Sequence, residues 1–149
     1  MTRLLPLLAL GCLLLAAGCG ENDEVEPDPT LEPFTKTGAG DFQWVTPEDV
    51  RAYQVAGNDL LLVDTRPTSA YEKERIEGAV AVPPERIEAV DSLPSEPWVV
   101  LYCSCPDDAM AMAVFRHAFD GGRQNMAILE GGFPAWEEAG YPTVSGPEG

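Results

Sequence analysis

The feature that most constrains the fold is an apolar run that stops abruptly at two cysteines. Residues 98–106 read Trp-Val-Val-Leu-Tyr-Cys-Ser-Cys-Pro, and a helix-like stretch follows them. A continuous apolar run predicts a strand buried on both faces, as in a parallel sheet covered by helices. Cys103 and Cys105 then lie next to a helix N-terminus, whose unpaired backbone N–H groups can hold a thiolate, a persulfide or an oxyanion. Free cysteine is also a common core residue, but Ser104 and Pro106 indicate an exposed turn.

Strand-like and helix-like segments alternate over residues 41–149, which we interpret as one folded domain. Apolar runs predict strands at residues 60–63, 80–82, 99–102 and 126–129. Helices are predicted from Pro47 to about Ala56, behind the capping residue Thr46, and over residues 109–119. This alternation is typical of a doubly wound α/β domain with a central, mainly parallel sheet flanked by helices. Ligands of such domains bind at the carboxyl ends of the strands, where Cys103 falls.

Four segments, taken in order, resemble the rhodanese-like domain family and together cover about residues 42–144. Residues 60–66 are similar to its first core strand with the Asp-x-Arg ending, and residues 75–83 to its His-Ile-x-Gly-Ala-x-x-Ile-Pro segment, with Arg75 in place of the histidine. Tyr102-Cys103 falls where the family keeps its nucleophilic cysteine. Residues 131–136 match its Gly-Gly-x-x-x-Trp motif. The resemblance implies a rhodanese-like fold with Cys103 as the catalytic residue.

Two classes of function follow from this resemblance. In the first, an exported sulfurtransferase or persulfide carrier, Cys103 attacks a sulfane-sulfur donor, holds the sulfur as a persulfide and passes it to a thiol acceptor. Cys105 can then resolve the persulfide or form a disulfide with Cys103, which leaves a thiol redox protein as a further possibility. In the second, a non-catalytic rhodanese-like module recognises a protein partner through its loop. The two cysteines favour the first class, and the altered loop favours the second.

The loop after Cys103 departs from the pattern of rhodaneses that use thiosulfate, which typically carry a basic residue five positions on. Here that position is Asp108, preceded by Asp107, although the form Tyr-Cys-x-Cys-Pro resembles a subset of rhodanese-like domains. At an effective dielectric of about 20 and roughly 6 Å, each carboxylate disfavours a thiolate by on the order of 3 kcal/mol. The sequence leaves open whether the two carboxylates face the thiol or cap the helix and point outward. In both cases we expect the thiosulfate dianion to be a poor donor.

Residues elsewhere in the domain have less specific interpretations. Asp64 and Arg66 follow a predicted strand and are expected to join neighbouring loops by hydrogen bonds and an ion pair, with Glu72 as a candidate partner. His117, the only histidine, is interpreted as a surface or interface residue, and Trp136 as core. One histidine and two neighbouring cysteines do not make a metal site without a partner molecule, so we expect no metal and no other cofactor.

The first residues of the chain predict export. A positive start, an apolar stretch of about 14 residues and the sequence Ala-Ala-Gly-Cys indicate a lipoprotein signal peptide at residues 1–18, too short for a transmembrane span. The resemblance to a lipobox implies lipidation of Cys19 and a membrane-anchored protein facing the periplasm or cell exterior. Ala16 stands where the usual lipobox has leucine, which keeps simple secretion as an alternative. Cys12 is interpreted as a plain residue of the apolar core of the leader.

Charge narrows the range of partners. The formal net charge is −16 at pH 7, which excludes nucleic acid as a partner because phosphates need Lys and Arg. The same charge argues against electrostatic docking on anionic lipid, so we expect membrane attachment through the lipid anchor alone. Residues 19–40 combine acidic residues with prolines and few large apolar groups, which predicts an extended tether between the anchor and the domain.

Overall fold

The computed structural model describes residues 42–95 and 97–146, and the predicted signal peptide, the tether and Cys19 lie outside this part of the chain. Its elements are β1 (Trp44–Val45), α1 (Pro47–Val55), β2 (Leu60–Asp64), α2 (Thr68–Lys73), β3 (Arg75–Ile76), β4 (Val80–Ala81), a 3₁₀ segment (Pro84–Ser92), β5 (Trp98–Tyr102), α3 (Ala109–Asp120), β6 (Met126–Leu129), α4 (Gly132–Glu138) and β7 (Thr143–Val144). The predicted doubly wound α/β domain with a mainly parallel sheet is confirmed.

Five strands form the central sheet in the order β1-β6-β5-β2-β4, and every neighbouring pair in it is parallel. β3 and β7 form a separate antiparallel pair. β5 occupies the middle of the sheet, and its last residue, Tyr102, lies in register with Asp64 at the end of β2. The carboxyl ends of β2 and β5 therefore lie side by side, which brings the two loops that follow them together.

Helices cover both faces of the sheet, and the side chains of β5 alternate between the two cores. Val100 and Tyr102 belong to the core that includes Trp136 of α4. Leu101 and Cys103 belong to the opposite core, which includes Val114 of α3. This alternation follows from the two-residue period of a strand and places the Cys103 side chain on the α3 side of the sheet.

The two longest α-helices begin and end close to the residues predicted from sequence. Before α1, the Thr46 hydroxyl accepts a hydrogen bond from the Asp49 backbone N–H, and the Asp49 carboxylate accepts one from the Thr46 backbone N–H. This capping box, with Pro47 in the first turn, explains the start of the helix. α3 runs to Asp120, and Val114 and Phe115 on its inner face are buried. α3 begins directly after the loop that carries the two cysteines.

Candidate active site

Cys103 lies immediately after β5 and is completely buried. Its backbone carbonyl accepts a hydrogen bond of 2.8 Å from the N–H of Phe133, so the first turn of α4 is joined to the cysteine. Gly132 allows this contact: its φ is +56°, and a Cβ there would overlap the Cys103 carbonyl oxygen. Gly132 is therefore required by close backbone approach as well as by backbone conformation.

The loop that follows Cys103 makes three polar contacts with its thiol. The sulfur of Cys105 lies 3.0 Å from the sulfur of Cys103, and both cysteines are free. The backbone N–H of Cys105 donates to the Cys103 sulfur at 3.3 Å. The Cys103 thiol in turn donates to the Asp108 carboxylate at 3.6 Å. Residues 103–108 thus fold back on themselves around one sulfur atom.

Burial raises the pKa of the Cys103 thiol to about 12, and its hydrogen bond with the Cys105 sulfur acts in the same direction. The backbone N–H groups of Cys105 and Ala111 act in the opposite direction, because they stabilise the thiolate. At neutral pH the resting group is accordingly a thiol. Reaction at this sulfur requires its proton to leave as the new bond forms.

The two aspartates of the loop have different positions. Asp108 is buried beside the thiol in left-handed backbone, with φ +51° and ψ +23°, and its side chain caps no helical N–H. Asp107 is exposed, and its carboxylate accepts a hydrogen bond of 3.4 Å from the Ala109 N–H. Each aspartate thus follows one of the two alternatives left open by the sequence. Asp108 faces the sulfur, whereas Asp107 points outward and caps α3.

Burial also raises the pKa of the Asp108 carboxyl above its ordinary value, and the charges of Asp107 and Glu130 act in the same direction. Hydrogen bonds from the Cys103 thiol and the Gly131 N–H lower it. A carboxyl group with a raised pKa is a stronger base than an ordinary one. Its position against the thiol makes Asp108 the natural acceptor of the Cys103 proton.

Asp64 and Arg66 form a buried ion pair beneath the site. The Arg66 Nε donates to both carboxylate oxygens at 2.9 and 3.0 Å, and Nη2 donates to Oδ2 at 2.6 Å. The prediction that Glu72 also takes part is wrong, because Arg66 Nη2 instead donates to the backbone carbonyl of Glu74, at 2.6 Å. The guanidinium lies 4.0 Å from the ring centroid of Phe133. The pair thus joins the end of β2 to the segment before β3 and to α4.

Sequence reasoning assigned no role to Tyr102 or Thr65, which hold the ends of β5 and β2 together. The Tyr102 hydroxyl accepts a hydrogen bond of 3.2 Å from the Ile76 N–H, while burial and the Asp64 charge raise its pKa. The Tyr102 carbonyl accepts from both the N–H and the hydroxyl of Thr65, each at 2.9 Å. Their signal in the sequence is their position, with Tyr102 next to Cys103 and Thr65 next to Asp64. Together they fix the strand end from which Cys103 projects.

The remaining predicted residues lie away from the thiol. His117 is at the surface, with its Nε2 3.1 Å from the Asp91 carboxylate. Trp136 is buried and donates to the Pro142 carbonyl at 3.0 Å. Within residues 42–95 and 97–146, no group of three or more His, Cys, Asp or Glu residues is placed to hold a metal ion. None of the helices in that part of the chain is long and apolar enough to cross a membrane.

A protein-family model described as the rhodanese-like domain matches residues 46–139. The chain belongs to the rhodanese-like domain family. Over 104 residues this rhodanese-like chain is 30% identical to the probable adenylyltransferase/sulfurtransferase MoeZ of Mycobacterium tuberculosis, a match that covers 67% of this chain and 26% of MoeZ. Over 89 residues it is 33% identical to an HTH-type transcriptional regulator of the same species, covering 59% of this chain and 39% of the regulator. The chain thus spans about a quarter of MoeZ.

Solved structures show the same fold. A thiosulfate sulfurtransferase from Pseudomonas aeruginosa superposes with a TM-score of 0.62 at 23% identity, over 70% of this chain and 20% of that one. The rhodanese-like domain of an Anabaena protein superposes with a TM-score of 0.60 at 24% identity, over 73% of this chain and 86% of that one. At these identities the likeness establishes the rhodanese-like architecture and leaves the chemistry to be argued from the residues of this chain.

Proposed function

We propose that this rhodanese-like domain is a sulfurtransferase or persulfide carrier in which Cys103 carries the sulfur. The observation that carries the proposal is the position of the Cys103 sulfur, which lies at the carboxyl end of the central strand inside the loop 104–108. The Cys105 N–H, 3.3 Å from that sulfur, is one of the donors that can hold a charged sulfur species there. The sequence similarity to MoeZ, whose name includes sulfurtransferase, supports this class of reaction.

The transfer needs no oxidant or reductant. The Cys103 sulfur attacks the outer sulfur of a donor R–S–SH, a new sulfur–sulfur bond forms, and the bond between the two donor sulfurs breaks. The thiol R–SH leaves, and Cys103 holds the outer sulfur as a persulfide. The Asp108 carboxylate, 3.6 Å from the sulfur, accepts the thiol proton during the attack and returns it to the departing thiolate.

The charges around the sulfur define the class of donor. Asp108 lies against the thiol, and Asp107 and Glu130 are close enough to Asp108 to raise its pKa. Arg66, the cation that follows β2, is bound to Asp64 and the Glu74 carbonyl. A dianion such as thiosulfate is repelled by this arrangement, whereas a neutral or cationic persulfide is not. We therefore propose low-molecular-weight persulfides without net negative charge as the preferred donors.

A second candidate function is a non-catalytic module that binds a protein partner through its loop. The observation that favours it is the burial of the Cys103 thiol, which raises its pKa to about 12 and lowers its reactivity at neutral pH. Ser104, Pro106 and Asp107 are exposed and would form the contact surface. Under this alternative the cysteines are structural, and sulfur does not move.

The test uses the purified full chain, a neutral acceptor thiol such as mercaptoethanol, and two donors that differ in net charge. Cysteamine persulfide carries an ammonium group and has no net negative charge, whereas thiosulfate is a dianion. We expect cysteamine persulfide to be consumed faster than thiosulfate by about tenfold or more, and consumption to fall to the uncatalysed rate in Cys103→Ser. Equal rates for the two donors would refute the proposed donor class. A wild-type protein that consumes neither donor faster than the uncatalysed rate would favour the binding module, and unchanged catalysis in Cys103→Ser would refute the role of Cys103.

We further propose that the protein is exported and anchored through lipid at Cys19. Its support is the sequence of residues 1–19 alone: a positive start, a short apolar stretch and the terminal Ala-Ala-Gly-Cys. An acidic tether at residues 19–40 would then separate the domain from the membrane surface.

A further inference from the structure

We infer that Cys105 is a resolving thiol that discharges the persulfide of Cys103 as sulfide, which makes the domain a dithiol-dependent persulfide reductase. The inference rests on the proposed function, because it requires a persulfide on Cys103. It goes beyond that function by naming the fate of the sulfur. The observation that carries it is the distance of 3.0 Å between the two free cysteine sulfurs.

The position of Cys105 suits attack on one particular sulfur. In a persulfide on Cys103 the inner sulfur is the Cys103 Sγ itself, so the structure already places Cys105 beside the inner sulfur. The hydrogen bond from the Cys105 N–H to that sulfur holds the two residues in this arrangement. Cys103 is buried, whereas Cys105 is partly exposed at the rim of the site. Cys105 therefore has access both to the inner sulfur and to reductants from solvent.

The discharge step balances in atoms and electrons. The Cys105 sulfur attacks the inner sulfur of the Cys103 persulfide, and a bond forms between the two cysteine sulfurs. The bond between the inner and outer sulfurs breaks, and the outer sulfur leaves as hydrosulfide, which takes up the proton lost by Cys105. The two cysteines are oxidised to a disulfide, and the sulfane sulfur is reduced to hydrogen sulfide. A dithiol then reduces the disulfide by exchange and restores both thiols.

The environment of Cys103 favours this step over transfer of the outer sulfur to another thiol. Attack on the outer sulfur, by Cys105 or by an external thiol, must expel the Cys103 thiolate. Burial raises the pKa of Cys103 to about 12, so this thiolate is a poor leaving group. Attack on the inner sulfur expels hydrosulfide, a weaker base. The same burial that protects the persulfide thus directs it towards sulfide release.

The experiment loads the reduced full chain with cysteamine persulfide without oxygen, removes the excess, and follows free sulfide and the peptide that contains residues 103 and 105 by mass spectrometry. Wild type should release one equivalent of sulfide per chain and lose two hydrogen atoms across Cys103 and Cys105. A dithiol such as dithiothreitol should then support repeated turnover. Cys105→Ser should keep one added sulfur on Cys103 and release sulfide more slowly by about tenfold or more, because it lacks the intramolecular thiol.

Four results would overturn the inference. If Cys105→Ser releases sulfide at the wild-type rate, or if wild type keeps a stable persulfide on Cys103 without forming the disulfide, Cys105 does not resolve it, while the proposed function still holds. If the sulfur is found on Cys105 in wild type, the outer sulfur is the one attacked and no reductase activity follows. If Cys103 takes up sulfur in neither protein, the proposed function fails and the inference fails with it.

Discussion

The carboxyl group of Asp108 accepts a hydrogen bond from the buried thiol of Cys103 across 3.6 Å, and it does so from left-handed backbone. Residues other than glycine, asparagine and aspartate seldom adopt this conformation. Because an ionised carboxylate beside a sulfur disfavours the thiolate, Asp108→Asn should lower the pKa of Cys103 by about one unit or more. The rate of Cys103 alkylation measured against pH checks this, and Asn preserves both the shape and the backbone conformation.

Asp107→Asn is the matched control, since it removes the same charge from the exposed neighbouring position. We expect its alkylation profile to follow that of the wild type closely. Superimposable profiles for the two variants would show that the Asp108 carboxyl has no influence on the sulfur. A faster alkylation in Asp108→Asn combined with a slower persulfide transfer would identify Asp108 as the group that moves the proton.

The close approach of the Gly132 backbone to the Cys103 carbonyl leads to a prediction about stability. Gly132→Ala should destabilise the domain by more than about 2 kcal/mol, because its Cβ would overlap the backbone carbonyl oxygen of Cys103. Gly122→Ala is the control: its φ is +97°, but nothing lies within 4 Å of a Cβ there. This control variant should lower the free energy of unfolding by about 1–2 kcal/mol, because alanine disfavours a positive φ. Urea unfolding measures both, and equal losses would contradict the proposed packing.

The raised pKa of Cys103 also predicts how stability depends on pH. Burial raises this pKa from about 9 to about 12, so the folded protein keeps a proton that the unfolded chain releases in this range. The stabilisation that the buried thiol gives to the folded state is therefore fully present below about pH 9 and is lost as the pH rises towards 12. The free energy of unfolding should fall more steeply in wild type than in Cys103→Ala, by at most about 1.4 kcal/mol per pH unit. Parallel slopes in reducing buffer would show that the thiol is not buried in solution.

The sequence predicts the frame of this site well because its signals are local. Continuous apolar runs at residues 60–63 and 98–102 form most of β2 and all of β5, and the helix at residues 47–55 has a complete capping box. Short helices are not predicted in this way. Helix α2 has six residues and α4 has seven, which is too few for a periodic hydrophobic pattern. The place of Cys103 at a strand end was therefore predictable, and the glycine-led helix that packs on it was not.

Contacts between distant segments are the other part that sequence reasoning misses. The direction of the Asp108 side chain depends on its left-handed backbone and on the Gly131 N–H, which arrives from another loop. Arg66 binds Asp64 as the sequence predicts, but its further partner is the Glu74 carbonyl and not the Glu72 side chain. Every residue has a backbone carbonyl, so such an acceptor leaves no trace in the sequence.

Lipid attachment at Cys19 remains a prediction from sequence. Cys19→Ala should release the protein from the membrane fraction into the soluble fraction, because acyl chains are the only proposed means of attachment. Cell fractionation followed by immunodetection measures this, and Cys12→Ala provides a control that keeps the lipidation site. A Cys19→Ala protein that still pellets with membranes would contradict the anchor.

Mass spectrometry of the Cys105→Ser full chain shows whether Cys103 takes up sulfane sulfur. That variant lacks the thiol 3.0 Å away, so a persulfide formed on Cys103 should persist long enough to be trapped by alkylation. After treatment with cysteamine persulfide, we expect one added sulfur atom on the peptide that contains Cys103. The double variant Cys103→Ser, Cys105→Ser should gain none on that peptide. An unmodified Cys103 peptide, from protein shown to be reduced and folded, would contradict the proposal that Cys103 carries sulfur.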